Sequence, residues 1–172
     1  MSRTSTSSVI VSAARTAIGR AVRGSLAHSR AEDLLAAAIG GAVQRADGID
    51  VAAADDLIVG CWMQQGDQGA NIARRTAVLL GADELPATTV NRACASSLQA
   101  IRMAHHAIAV GEARFVVAAG VESISHYTEP RKAGATPLAD RHPSFAELVT
   151  REDSAGGERP SWRDPRLTGQ LP

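Results

Sequence analysis

The chain has 172 residues, and its 18 basic and 18 acidic side chains leave no net charge at pH 7. A length of this order suits one domain that buries roughly two-thirds of its unfolded surface. The charge balance removes the electrostatic case for a nucleic-acid or anionic-membrane partner, and 3% aromatics leave no base-stacking platform. Every basic residue except Lys132 is arginine, so no Walker-type phosphate loop is present. No apolar run approaches the length that spans a bilayer.

The opening "MSRTSTSS" reads as a flexible terminus over residues 1–7, with no leader-like run in it. "SVIVSAA" (Ser8–Ala14) is a β-branched run and predicts a first strand. "SRAEDLLAAAIGGAVQRA" predicts a helix capped by a box of Ser29 with Glu32, and Leu35, Ile39 and Ala42 share one face. "DLIVGCW" (Asp56–Trp62) is a second strand, preceded by Asp55 and Asp56 in what reads as a solvated turn. "NIARRTAVLLG" is a short helix stopped by Gly81. "ATTVN" (Ala87–Asn91) is a third strand, "ASSLQAIRMAHHAIAVG" a helix closed by Gly111, and "RFVVAAG" (Arg114–Gly120) a fourth strand. This alternation predicts an α/β fold, βαβαβαβ with a mostly parallel sheet, over residues 8–127.

The helix after residue 94 is apolar around most of its circumference, with polar Gln99, Arg102 and His106 confined to one stripe. Such a helix is built to be buried, and a single sheet would leave part of it uncovered. From residue 128 the pattern changes. Six of the seven prolines fall in 128–172, and only "SFAELV", with Ser144 and Glu147 as a capping box, predicts a helix there.

Two cysteines, Cys61 and Cys94, stand far apart with no CxxC pair, so reduced thiols in a cytoplasmic protein are expected. Cys94 sits where a strand hands over to a helix. Unpaired N–H groups and the helix dipole there favour a thiolate, and small Ala95, Ser96 and Ser97 leave room for a substrate carbonyl. Two readings stand together: a nucleophile with an oxyanion site in the same turn, or a buried structural cysteine. Cys61, beside Trp62, reads as a packing residue. His105 lies about 16 Å along the helix from Cys94 and is too far to activate it. His105 and His106, as neighbours in sequence, do not face one metal. His28, His126 and His142 fall in loops and read as solvated, and Gly19 and Gly24 are too loosely spaced for a dinucleotide loop.

"VIVSAARTAIGR", "DLIVGCWMQQGDQGANIAR", "TTVNRACASSLQAI" and "AAGVESIS", in this order, resemble the N-terminal half of the thiolases, acyltransferases that make or cleave 3-ketoacyl-CoA. The resemblance covers about residues 8–127. It departs at Ala17, where the family usually has Pro, and at Ser97, where Gly is frequent. It implies an incomplete thiolase-like fold and an acyltransferase whose Cys94 is acylated by acyl-CoA, with its backbone N–H in an oxyanion hole. Acyl-CoA and CoA enter as substrates, and no bound cofactor or metal is implied. The Gln64–Asn71 loop and the "TTVN" strand resemble segments at a dimer interface, which implies a homo-oligomer. The family's second half supplies an activating histidine and a second cysteine on "GHP"-type and "CxGGG"-type motifs, which are absent here; "RHPS" (Arg141–Ser144) lies in a Pro-rich, loop-like context. Residues 128–172 would be the beginning of a loop domain or a tail, and the chain would stop inside the fold. Two alternatives remain beside this one. "ACASSL" also resembles the nucleophile segment of ketoacyl synthases, and a non-catalytic remnant could pair with a complementary thiolase-like chain.

Overall fold

A computed structural model of the chain describes residues 7–47 and 49–128. The Pro-rich segment from 129 onward, with its expected helix and the His–Pro pair at Arg141–Ser144, lies outside the described residues. The described part is an α/β unit with helix α1 (Ala31–Arg45), strand β1 (Asp56–Gly60), helix α2 (Ile72–Leu79) and strand β2 (Ala87–Val90). Helix α3 (Ser96–Val110), strand β3 (Val116–Gly120) and the short helix α4 (Ile124–Thr128) follow. The sheet is parallel in the order β2-β1-β3, with Gly60 in register with both Val90 and Gly120.

The central strand is apolar on both faces because both faces are covered. Leu57 and Val59 join Leu35, Ile39, Ile72 and Ala77 in the core on the α1 and α2 side. Ile58 and Gly60 alternate to the α3 side. The edges of the elements follow local chemistry. Asn71 caps α2 by accepting the Arg74 N–H at 3.4 Å, and Gly81 ends it at φ +72°. Gly111 closes α3 at φ +82°, a conformation that costs a residue without Cβ little.

Three expectations are corrected. The strand over Ser8–Ala14 does not form: residues 7–20 have no regular structure, and Val9, Ile10 and Val11 are 65–80% exposed. A β-branched run has the propensity for a ladder, but a ladder needs a neighbour, and β3 stands apart across a cavity of about 1020 Å³. Side-chain ties hold the segment instead, from Ser8 Oγ to His105 Nδ1 (2.7 Å) and from Ser12 Oγ to the Ala42 carbonyl (2.7 Å). The four-strand pattern is therefore three strands among the described residues.

The Ser29–Glu32 capping box is also absent. Helix α1 begins one residue later, and its Ala31 N–H donates to the Asp67 carboxylate at 3.1 Å, 36 residues downstream. Glu32 is fully buried and pairs with Arg75 at 3.0 Å. Finally, the turn before β1 is more than solvated. Asp55 accepts the N–H groups of Phe115 (2.9 Å) and Arg114 (2.7 Å), which hold its carboxyl below the usual range.

Candidate functional site around Cys94

β2 ends at Val90, and the five residues Asn91–Ala95 turn the chain onto α3. Where this turn can sit is decided by two glycines. A Cβ on Gly60 would collide with the backbone of Ser96 and Ser97, and one on Gly120 would collide with Ser97 Oγ. The first turn of α3 thus rests directly on the ends of β1 and β3, close enough that no side chain fits between them.

Within the turn, Ala93 has φ +48°, the left-handed region that costs an L-residue with a Cβ roughly 1–2 kcal/mol. Its N–H donates to Asn91 Oδ1 at 2.9 Å, and its carbonyl accepts from Ser96 Oγ at 2.6 Å. Ser96 Oγ also accepts the Arg92 N–H at 2.8 Å. Asn91 Nδ2 donates to the Trp62 carbonyl at 2.8 Å, and the Trp62 N–H donates to the Glu122 carboxylate at 2.9 Å. The turn is therefore tied to the loops that leave both β1 and β3.

Cys94 is exposed, which removes the reading of a buried structural cysteine. Among the described residues no hydrogen bond or ion pair engages its thiol. Cys61 is the opposite case. It is 1% exposed, and burial above all, with Glu122 and Asp67 nearby, pushes its thiol up to about 12. Its assignment to packing agrees with that environment.

The histidines separate. His105 is tied to Ser8, and His106 is exposed with its ring centre 5.7 Å from that of His105. His126, read as a solvated loop residue, lies in α4 with Nδ1 2.5 Å from Asp67 Oδ2 and Nε2 3.1 Å from the Ala27 carbonyl. No cluster of three His, Cys, Asp or Glu side chains suited to a metal occurs among the described residues.

The Gln64–Asn71 loop is held from inside. Gln68, fully buried, accepts the Ser123 N–H at 2.6 Å and donates to the carbonyls of Met63 and Ser123 at 3.3 Å each. Asn91, Ser96, Asp67 and Gln68 were all missed as supports of the site. Only the placement of Asn91, two residues before a turn N–H, is a recognisable sign of an Asx-type contact.

The model of the family "Thiolase, N-terminal domain" matches residues 8–149. Beta-ketoadipyl-CoA thiolase of Acinetobacter baylyi is 49% identical over 117 residues, which are 67% of this chain and 29% of that protein. The 3-ketoacyl-CoA thiolase of Erwinia tasmaniensis is 42% identical over 144 residues, 83% of this chain and 36% of its own length. Among solved structures, that of the Bacillus anthracis acetyl-CoA acetyltransferase superposes with a TM-score of 0.66 at 34% identity, covering 72% of this chain and 31% of that one. The chain spans about a third of the length of the curated relatives it matches.

Proposed function

Because the chain belongs to the thiolase family, matching its N-terminal domain, we propose that it carries the acyl-accepting half of a thiolase-type acyltransferase, with Cys94 as nucleophile. The single observation that carries the reading is an exposed thiol on a left-handed turn at the start of a 15-residue helix. The positive end of that helix favours negative charge where it would develop.

The chemistry runs in two halves. As its proton passes to an activating base, which later supplies it to the leaving group, the Cys94 sulfur adds to the carbonyl carbon of an acyl-CoA thioester, and the π pair moves to oxygen. Collapse of the oxyanion breaks the carbon–sulfur bond to CoA, whose thiolate takes a proton and leaves. The acyl group then passes from Cys94 to a CoA thiol, or to the α-carbanion of a second acyl-CoA. No histidine among the described residues is bonded to the thiol, so the activating base comes from polypeptide outside them. Helix α3 supports a partner of that kind. Leu98 (67% exposed) faces outward and Ile101 (46% exposed) lines the cavity beside β3, and we assign the exposed part of α3 to a second copy or a complementary thiolase-like chain.

Incubation with radiolabelled acetyl-CoA tests the reading, with Cys94→Ala as control and thiolysis of acetoacetyl-CoA followed in parallel. Label on Cys94 without turnover is the expected result. An unlabelled chain sinks the nucleophile assignment, and full turnover by the chain alone overturns the need for an outside base.

A further inference from the structure

We infer that Asn91 and Ser96 are positioning residues that hold Ala93 left-handed and so fix the direction of the Cys94 thiol; the inference rests on the reading of Cys94 as acyl acceptor. Ala93 lacks the freedom of glycine, and a strained backbone persists only where its surroundings over-determine it. Here the constraint can be named. The Ala93 N–H is held by Asn91 Oδ1 at 2.9 Å and its carbonyl by Ser96 Oγ at 2.6 Å. One side chain from each flank thus grips the peptide unit on either side of Ala93.

Neither grip floats. Asn91 is anchored through its amide to the Trp62 carbonyl at 2.8 Å, beyond the end of β1. Ser96 is 4% exposed, its backbone rests on Gly60, and its hydroxyl also accepts the Arg92 N–H at 2.8 Å. The hydroxyl's only hydrogen goes to the Ala93 carbonyl, which leaves it none to donate to substrate. Cys94 follows Ala93 directly, so the Ala93 dihedrals set where its Cα–Cβ bond points. Released, Ala93 would relax to negative φ, swing the next residue, and carry the sulfur away from the first turn of α3.

The test uses the full 172-residue chain and the rate at which iodoacetamide alkylates Cys94, located by peptide mass spectrometry. This small electrophile needs no CoA site. Asn91→Ala and Ser96→Ala are each expected to change that rate about tenfold or more, and to slow acetylation by acetyl-CoA to a similar degree. The discriminating variant is Ala93→Gly, since glycine populates positive φ without help. Added to Asn91→Ala or to Ser96→Ala, it returns the alkylation rate to within about threefold of the parent; alone, it leaves the rate nearly unchanged. A purely structural loss would not be rescued by glycine at 93.

Unaltered rates in both single variants, or no rescue in either double variant, overturn the inference. The Ser96 arm decides the matter if Asn91→Ala does not fold, because it removes only a hydroxyl. If the parent takes no label from acetyl-CoA while the alkylation pattern holds, the proposed function fails and the positioning roles stand.

Discussion

Cys61 lies one residue past β1, and its burial pushes the thiol up to about 12, against 9.0 for a free one. The folded chain therefore keeps this proton over a range in which the unfolded chain releases it. Folded-state stability is unaffected by this group below about pH 9 and falls as pH rises toward about 12, at a limiting slope of ~1.4 kcal/mol per pH unit. The alkaline limb of the stability curve should flatten in Cys61→Ala, as measured by denaturant midpoints from pH 8 to 11. The same contrast predicts that a thiol reagent titrates one cysteine, Cys94, in the native chain and two in denaturant. Two fast-reacting thiols in the native state would contradict the burial of Cys61. At this scale the place of Cys94, between a strand and a helix, was readable in the sequence. Its clamp was not, because nothing in "VNRAC" announces that an alanine adopts positive φ, and the serine that holds it lies beyond the cysteine.

The elements that formed as expected are those whose reasons are local. α2 has its Asn71 cap and Gly81 stop within its own stretch, and α3 runs from the cysteine turn to Gly111. Those that departed depend on distant partners. The cap of α1 is Asp67, and the run at Ser8–Ala14 lacks a neighbouring strand. Glycines make the same division testable. Gly40 lies inside α1 with nothing near the place of its Cβ, whereas Gly60 touches the α3 backbone. Gly40→Ala should stabilise the chain by about 0.5–1 kcal/mol, since it removes a helix-interior glycine. The same change at Gly60 should destabilise by about 1–3 kcal/mol or more and displace the first turn of α3. Urea midpoints of both variants check the opposite signs, and equal shifts would discount the seat.

The whole described region is finished on one side and open on the other. Leu35, Leu57, Val59 and Ile72 are no more than 1% exposed beneath α1 and α2. Around α3, Leu98 is 67% exposed and Ile101 46%, and Val110, its last residue, is 67% exposed. The sequence pattern had already called for a cover, because apolar residues fill most of that helix; what it lacked was any sign of which face meets the sheet. Small Ala100 and Ala104 turn out to be the buried ones, which allows close approach and turns the larger side chains outward. The isolated chain should self-associate and bind an apolar dye, and Leu98→Asp with Ile101→Asp should reduce both without lowering helix content. A monodisperse, dye-silent parent in a sedimentation run would refute this.

The glycine seat also couples two positions far apart in sequence. The space beside Gly120 is occupied by the hydroxyl of Ser97, so side-chain atoms at 97 and at 120 compete for one volume. Gly120→Ala should be damaging in this background and much better tolerated once Ser97→Gly has vacated the space. The order of substitutions then matters: bulk at 120 should be accepted only after bulk at 97 is removed, although the two residues share no bond.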